Sequence, residues 1–133
     1  MRAYRVGAII WALVGLGINA FIHFSLAPSL DQLGAGSTAT VGTLFRVEAV
    51  ADIVAGVLLL IFRRRWTGLL VMLVSAVGLA ILIASTIAPI TLPFGLPVIP
   101  VAGWGPQKLV AAVGQAIALV SGLTILVSGR PRR

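Results

Sequence analysis

Four apolar runs, each close to the ~20 residues a helix needs to cross ~30 Å of hydrocarbon, constrain this chain more than any other feature. They are separated by short charged or proline-rich breaks, and they fall at residues 6–27, 43–62, 67–88 and 107–128. Segments 28–42 and 89–106 connect them on one side. The runs are too long for the core of a water-soluble domain. Only 10% of the residues are charged against 59% hydrophobic, where a soluble domain carries about a quarter charged. The fold class that follows is all-α: a single transmembrane domain over residues 1–133, built as an up-down four-helix bundle.

Basic residues orient the bundle. Arg2 and Arg5 precede the first run, Arg63, Arg64 and Arg65 part the second from the third, and Arg130, Arg132 and Arg133 close the chain. The opposite side holds only Arg46 and Lys108. Lysine and arginine accumulate on the cytoplasmic side of a membrane, so both termini are expected inside a plasma membrane crossed four times. Tyr4 and Trp66 at the inner boundary and Trp104 at the outer one suit aromatic anchoring at the headgroups. The first run, Val6 to Leu26, exceeds the roughly 7–15 residues of a signal-peptide core and reads as an uncleaved anchor.

The same pattern excludes several functions. A net charge of +7 would suggest nucleic acid in a soluble protein, but eight of the ten basic residues sit at inner helix ends, where anionic lipid is the partner. No interleaving of aromatic and basic residues suggests RNA or DNA. Without cysteine there is no disulfide, thiol redox centre or thiolate metal site. One histidine and three acids supply no metal centre or haem from a single copy, and no cofactor is expected. Phosphate loops, nucleophile triads and metalloprotease helices are missing too. No catalytic residue is assigned.

Arg63 to Trp66 is so short a turn that the second and third helices must form an antiparallel hairpin. The outer link is different. Pro89, Pro93, Pro97, Pro100 and Pro106 cannot sit within a helix, yet the segment carries no charge. An interfacial cap over the outer mouth of the bundle is expected, with a flexible linker as the alternative. No internal repeat of the transporter kind is visible.

Chemistry is confined to few residues. Glu48 and Asp52 lie four apart, on one helix face, at depths of ~8 and ~14 Å counted from Thr43 at about 1.5 Å per residue. A carboxylate so deep costs about 2.5–3.5 kcal/mol on insertion scales, so it turns inward to a partner or holds a proton. Asn19 and His23 share one face of the first helix, and Gln115 and Lys108 one face of the fourth. Together Asn19, His23, Glu48, Asp52, Gln115 and Lys108 are expected to line an outward-opening polar pocket. Polar glue that holds helix register is the alternative for the acids, and a structural hydrogen bond for His23. Ser75, Gly78 and Ser85 suit close helix packing. Arg46 and Trp104 are candidates for interfacial or partner contact. Arg46 is expected to snorkel to headgroups, with an ion pair to Asp31 or to a partner subunit as the other reading.

The stretches Phe21-Ile22-His23-Phe24, Gly42-Thr43-Leu44-Phe45-Arg46-Val47-Glu48-Ala49 and Gly105-Pro106-Gln107-Lys108 resemble small four-span membrane proteins of actinobacteria and, more loosely, the DoxX-like four-helix group. That resemblance implies a four-helix membrane fold and thiol- or redox-stress partners, not an activity. Three functions are compatible with these residues. The first is a non-enzymatic accessory or scaffold subunit of a membrane assembly. The second is a small oligomeric proton-coupled carrier using Glu48 and Asp52. The third is a protein holding a lipid or quinone in the outer-half pocket. A homo-oligomer or a membrane-complex partner is expected in each.

Overall fold

Four long helices dominate the computed structural model, which describes residues 3–128. They are α1 (Ala3–Leu26), α2 (Val41–Phe62), α3 (Arg65–Ile87) and α4 (Pro106–Ser128), with one 3-10 turn at Ala27–Leu30. Among the described residues no strand forms; a lone antiparallel bridge joins Ile90 and Ile99. Arg2, Arg130, Arg132 and Arg133, on which the orientation argument draws, lie outside the described residues.

Local chemistry sets the helix limits. Thr40 caps α2, its hydroxyl accepting the Thr43 N–H at 3.1 Å, so the helix starts at Val41 and not at Thr43. At its other end Arg63 adopts left-handed backbone (φ 50°) and returns its N–H to the Leu59 carbonyl. That conformation costs an ordinary residue about 1–2 kcal/mol, yet it lets Arg64 alone bridge to α3. Extended backbone at Ala88, ahead of Pro89, ends α3. Pro106 opens α4, where its missing N–H would have no helical partner anyway.

The helices pack in cyclic order, α1 to α2 to α3 to α4 and back to α1. Arg5 reaches Arg63 and Ser128, and Arg65 reaches Leu126, so one end of the molecule gathers the starts of α1 and α3 with the finishes of α2 and α4. Neighbours are therefore antiparallel. Close approach depends on glycine at two crossings. A methyl group on Gly15 would stand 2.5 Å from the Gly114 carbonyl, and one on Gly122 would stand 2.8 Å from the Gly68 carbonyl. Small residues of this kind bring helix backbones into direct contact where lipid supplies no hydrophobic driving force. Ala12, Leu16, Leu59, Val71, Ala118 and Ile125 fill the apolar core between them.

The outer faces are as apolar as the core. Trp11, Phe21, Val47, Ile61, Val77 and Val120 are all more than half exposed. Helices α1, α3 and α4 are long and apolar enough to cross a membrane. Helix α2 has the length, 22 residues, but carries Arg46, Glu48 and Asp52. The chain thus has three helices suited to hydrocarbon and one that brings charge among them.

The two longer connections meet at the end opposite the arginines. Segment 88–105 folds back on itself at Phe94 and Gly95, both at positive φ (63° and 69°), with Ile90 and Ile99 paired across it. Thr38 binds it to the first connection, its N–H donating to Gly95 O at 3.0 Å and its hydroxyl to Phe94 O at 3.2 Å. Pro97 is fully buried, packed where Gly34 leaves no side chain in its way. The proline-rich segment is an ordered hairpin tied to its neighbour, not a free linker.

Candidate functional site

Helix α2 carries its acids on the face that meets α1, and Asn19 receives them. Its Nδ2 donates to Asp52 Oδ2 at 2.5 Å and, in a longer contact of 3.4 Å, to Glu48 Oε1. One amide group thereby clamps two carboxyl groups set a helical turn apart. Asn19 and Asp52 are each 1% exposed, which excludes bulk water from the pair. His23, one turn along α1, donates from Nδ1 to the Asn19 carbonyl at 2.8 Å, since a carbonyl only accepts. Its ring lies tilted on Phe45 at 4.9 Å between centroids and shields the outer side of the clamp.

Helices α3 and α4 complete the layer. Gln115 is 1% exposed, and its amide shares with Glu48 the space that Gly78 leaves open: a methyl group there would lie 2.5 Å from both Gln115 Nε2 and Glu48 Oε1. Ser75, one turn from Gly78 on the same face of α3, is equally buried. Each helix thus sends a polar side chain into one interior layer. Five buried atoms in it have no hydrogen-bond partner: Asn19 Oδ1, Asp52 Oδ1, Ser75 Oγ and both amide atoms of Gln115. Folded proteins satisfy the great majority of such groups, and each open one costs about 1–3 kcal/mol.

Of the residues expected to line one pocket, Asn19, Glu48 and Asp52 touch, Gln115 joins them across Gly78, and His23 is held through the Asn19 backbone. Lys108 is not among them. Its Nζ donates to Ala102 O at 2.6 Å and to Ser85 Oγ at 3.1 Å, and it stands 5.2 Å from the centre of the Trp104 ring. The start of α4 repels a cation, so the side chain turns outward to the Ala102 carbonyl of the connection and the Ser85 hydroxyl. Trp104 is half exposed beside it. Asn19, Asp52, Ser75 and Gln115 are each buried in the layer, while Glu48 is partly exposed.

Arg46 does not snorkel free. It forms a two-pronged ion pair with Asp31, at 2.7 and 2.9 Å, and Thr40 donates to the same carboxylate at 3.2 Å. The Arg46 guanidinium, bonded directly to it, holds the Asp31 carboxyl below its ordinary range. Both partners stay 40% exposed. The pair fastens the first connection to the start of α2.

A shallow groove of about 200 Å³ runs between α1 and α2 on the outer surface of the bundle. Leu13, Leu16 and Gly17 line one side, with Asp52, Gly56 and Leu60 on the other. Asp52 forms part of its floor, so the buried layer comes closest to the surroundings here, on an apolar face. Ser75 and Gly78 escaped assignment as site residues because small residues on a helix face signal close packing. Their spacing of three, opposite Gln115, was the available clue. No known protein family, curated protein or solved structure matches this chain. Among the described residues no group of three or more metal-ligating side chains occurs.

Proposed function

We propose that this chain is a four-span integral protein of the plasma membrane, with both termini and the arginine turn on the cytoplasmic side. In this reading it works as a small, oligomeric proton-coupled carrier whose exchanging group is the Asp52–Glu48 pair. One observation carries it: the buried layer is unfinished. Polar residues that served only to lock helix register would gain most from mutual satisfaction, since a half-satisfied network is worse than an apolar core. Here an oxygen of Asp52 and the whole Gln115 amide have no protein partner. Two carboxylates one turn apart in hydrocarbon also repel each other, and a proton taken up between them relieves both costs.

In proteoliposomes enclosing a pH-sensitive dye, an imposed pH gradient should relax faster with the wild-type chain than in protein-free vesicles. Asp52→Asn, checked for unchanged helicity, should relax at the protein-free rate. Equal rates for wild type and Asp52→Asn would overturn the proposal.

A second reading has its own support. The outer hairpin presents Phe94 at 89% and Val98, Val101 and Trp104 each at 52% exposure, beside Ile87 at 81%. Such an apolar, ordered surface suits a non-enzymatic accessory subunit docking on a membrane partner. Stoichiometric copurification of another subunit, lost on replacing Phe94 and Trp104 by serine, would favour it.

A further inference from the structure

We propose that the arginine end of the bundle is a binding site for the phosphate group of an anionic phospholipid. A concavity of about 500 Å³ opens there, lined by Arg5, Arg63, Arg64, Arg65 and Trp66. Four arginines line it, from α1, from the turn between α2 and α3 and from the start of α3. Among the described residues the groups that they bond to are neutral. Arg5 donates to the Arg63 carbonyl at 2.7 Å and to Ser128 Oγ at 3.3 Å, Arg63 to the Leu60 carbonyl, and Arg65 to the Leu126 carbonyl at 2.9 Å. These bonds hold three of the side chains in place and leave their charge uncompensated.

Among the described residues no acid is near enough to do so. The nearest along α2 is Asp52, 11 residues from Arg63 and so about 16 Å away along the axis. Asp31 is committed to Arg46 at the opposite end. Arginine forks match phosphate oxygens in pairs, and basic pockets between the ends of membrane helices take up phospholipid headgroups. The surroundings favour a lipid over a dissolved anion. Trp66 and Tyr4 are about half exposed, and Phe62 packs on Trp66 at 5.3 Å, an aromatic girdle of the kind found at headgroup depth. The inference rests on the helices spanning a bilayer and is independent of proton exchange.

Arg64 gives the cleanest test, because its side chain makes no hydrogen bond among the described residues and its replacement should leave the fold unchanged. The full-length protein, offered phosphatidylglycerol and phosphatidylcholine in equal amounts in detergent, would be weighed by native mass spectrometry. Preferential, saturable retention of phosphatidylglycerol is expected. Arg64→Gln should weaken it about fivefold, and Arg64→Lys should fall between the two because it keeps the charge but loses the fork. Equal retention of the two lipids, or Arg64→Lys indistinguishable from wild type, would overturn the site in favour of diffuse attraction. Inorganic phosphate alone protecting the protein against heat as well as phosphatidylglycerol does would overturn the lipid assignment.

Discussion

The interior layer and the arginine end handle charge in opposite ways. In the layer, a fully buried acid, Asp52, and a partly buried one, Glu48, share one amide donor, Asn19. At the arginine end, four cations line an open concavity, and three of them, Arg5, Arg63 and Arg65, lean on backbone carbonyls. Burial makes the first arrangement energetically tense, so each of its few bonds carries weight. Exposure makes the second cheap, so its cations remain free to attract an outside partner. The same residue types would have different consequences if exchanged: an arginine in the layer would need a counter-charge, and an acid at the open end would cancel the attraction.

The contrast breaks most visibly at Asn19. Asn19→Leu strips both carboxyl groups of their donor in a medium that supplies no other, and a loss of about 3 kcal/mol is expected. Equilibrium denaturation in detergent measures it. Pairing the change with Asp52→Leu should restore part of the loss, giving a coupling of at least ~1 kcal/mol. Arg64→Gln should stay within about 0.5 kcal/mol of wild type in the same assay. Similar losses at the two places would erase the distinction between them.

The groove sharpens it next. With the α1–α2 groove as the route, a hydrophobic carbodiimide should modify Asp52, which lines it, before Glu48, although Glu48 is the more exposed of the two. A methyl group on Gly56 would meet Leu13 and Leu16 at ordinary contact distances of 3.5 and 3.7 Å, so there is room for a larger side chain to fill this space. Gly56→Leu should therefore slow the labelling while leaving helicity unchanged; peptide mapping after timed exposure follows both. Labelling of Glu48 at the same rate as Asp52 would show that the groove is not the route.

Gln115 tests the unfinished character of the layer itself. Its amide is buried and has no partner, so an apolar side chain of similar size should be tolerated: Gln115→Leu is expected to be neutral or to stabilise by about 1 kcal/mol. A clear destabilisation in thermal unfolding would mean that the amide has partners after all.

How much of this could be read from the residues differs between the two regions. Helix positions followed from run length and from proline, and the facing of Asn19 toward Glu48 and Asp52 followed from spacings of four and from the cost of bare carboxylates in hydrocarbon. Helical periodicity says which residues share a face, but not how far a long side chain bends. Lys108 shares a face with Gln115 and yet turns away, because a flexible four-carbon stem lets it reach the Ala102 carbonyl of the connection and the Ser85 hydroxyl. Arg46 was equally open: snorkelling and pairing with Asp31 differ only in how the first connection folds, and no periodicity describes a connection. At the arginine end the residues announced orientation, and only the turn geometry around Arg63 shows that they also enclose a space.

The Arg46–Asp31 pair should yield the smallest effect, because both partners remain 40% exposed to screening. Its signature is a dependence on pH. The folded carboxyl titrates below its ordinary value of 3.8, chiefly because Arg46 bonds to its charged form. The stabilisation is therefore fully present above that ordinary value and is lost as pH falls through the lower, folded one. Arg46→Gln removes the cause, so its stability should fall less steeply than the wild type's as the solution is acidified below pH 3.8. Above pH 5, where Asp31 is ionised whether folded or not, the gap between the two proteins should be constant. Thermal unfolding across that range reads the difference; parallel profiles throughout would show that the pair contributes nothing to the hold of the first connection on α2.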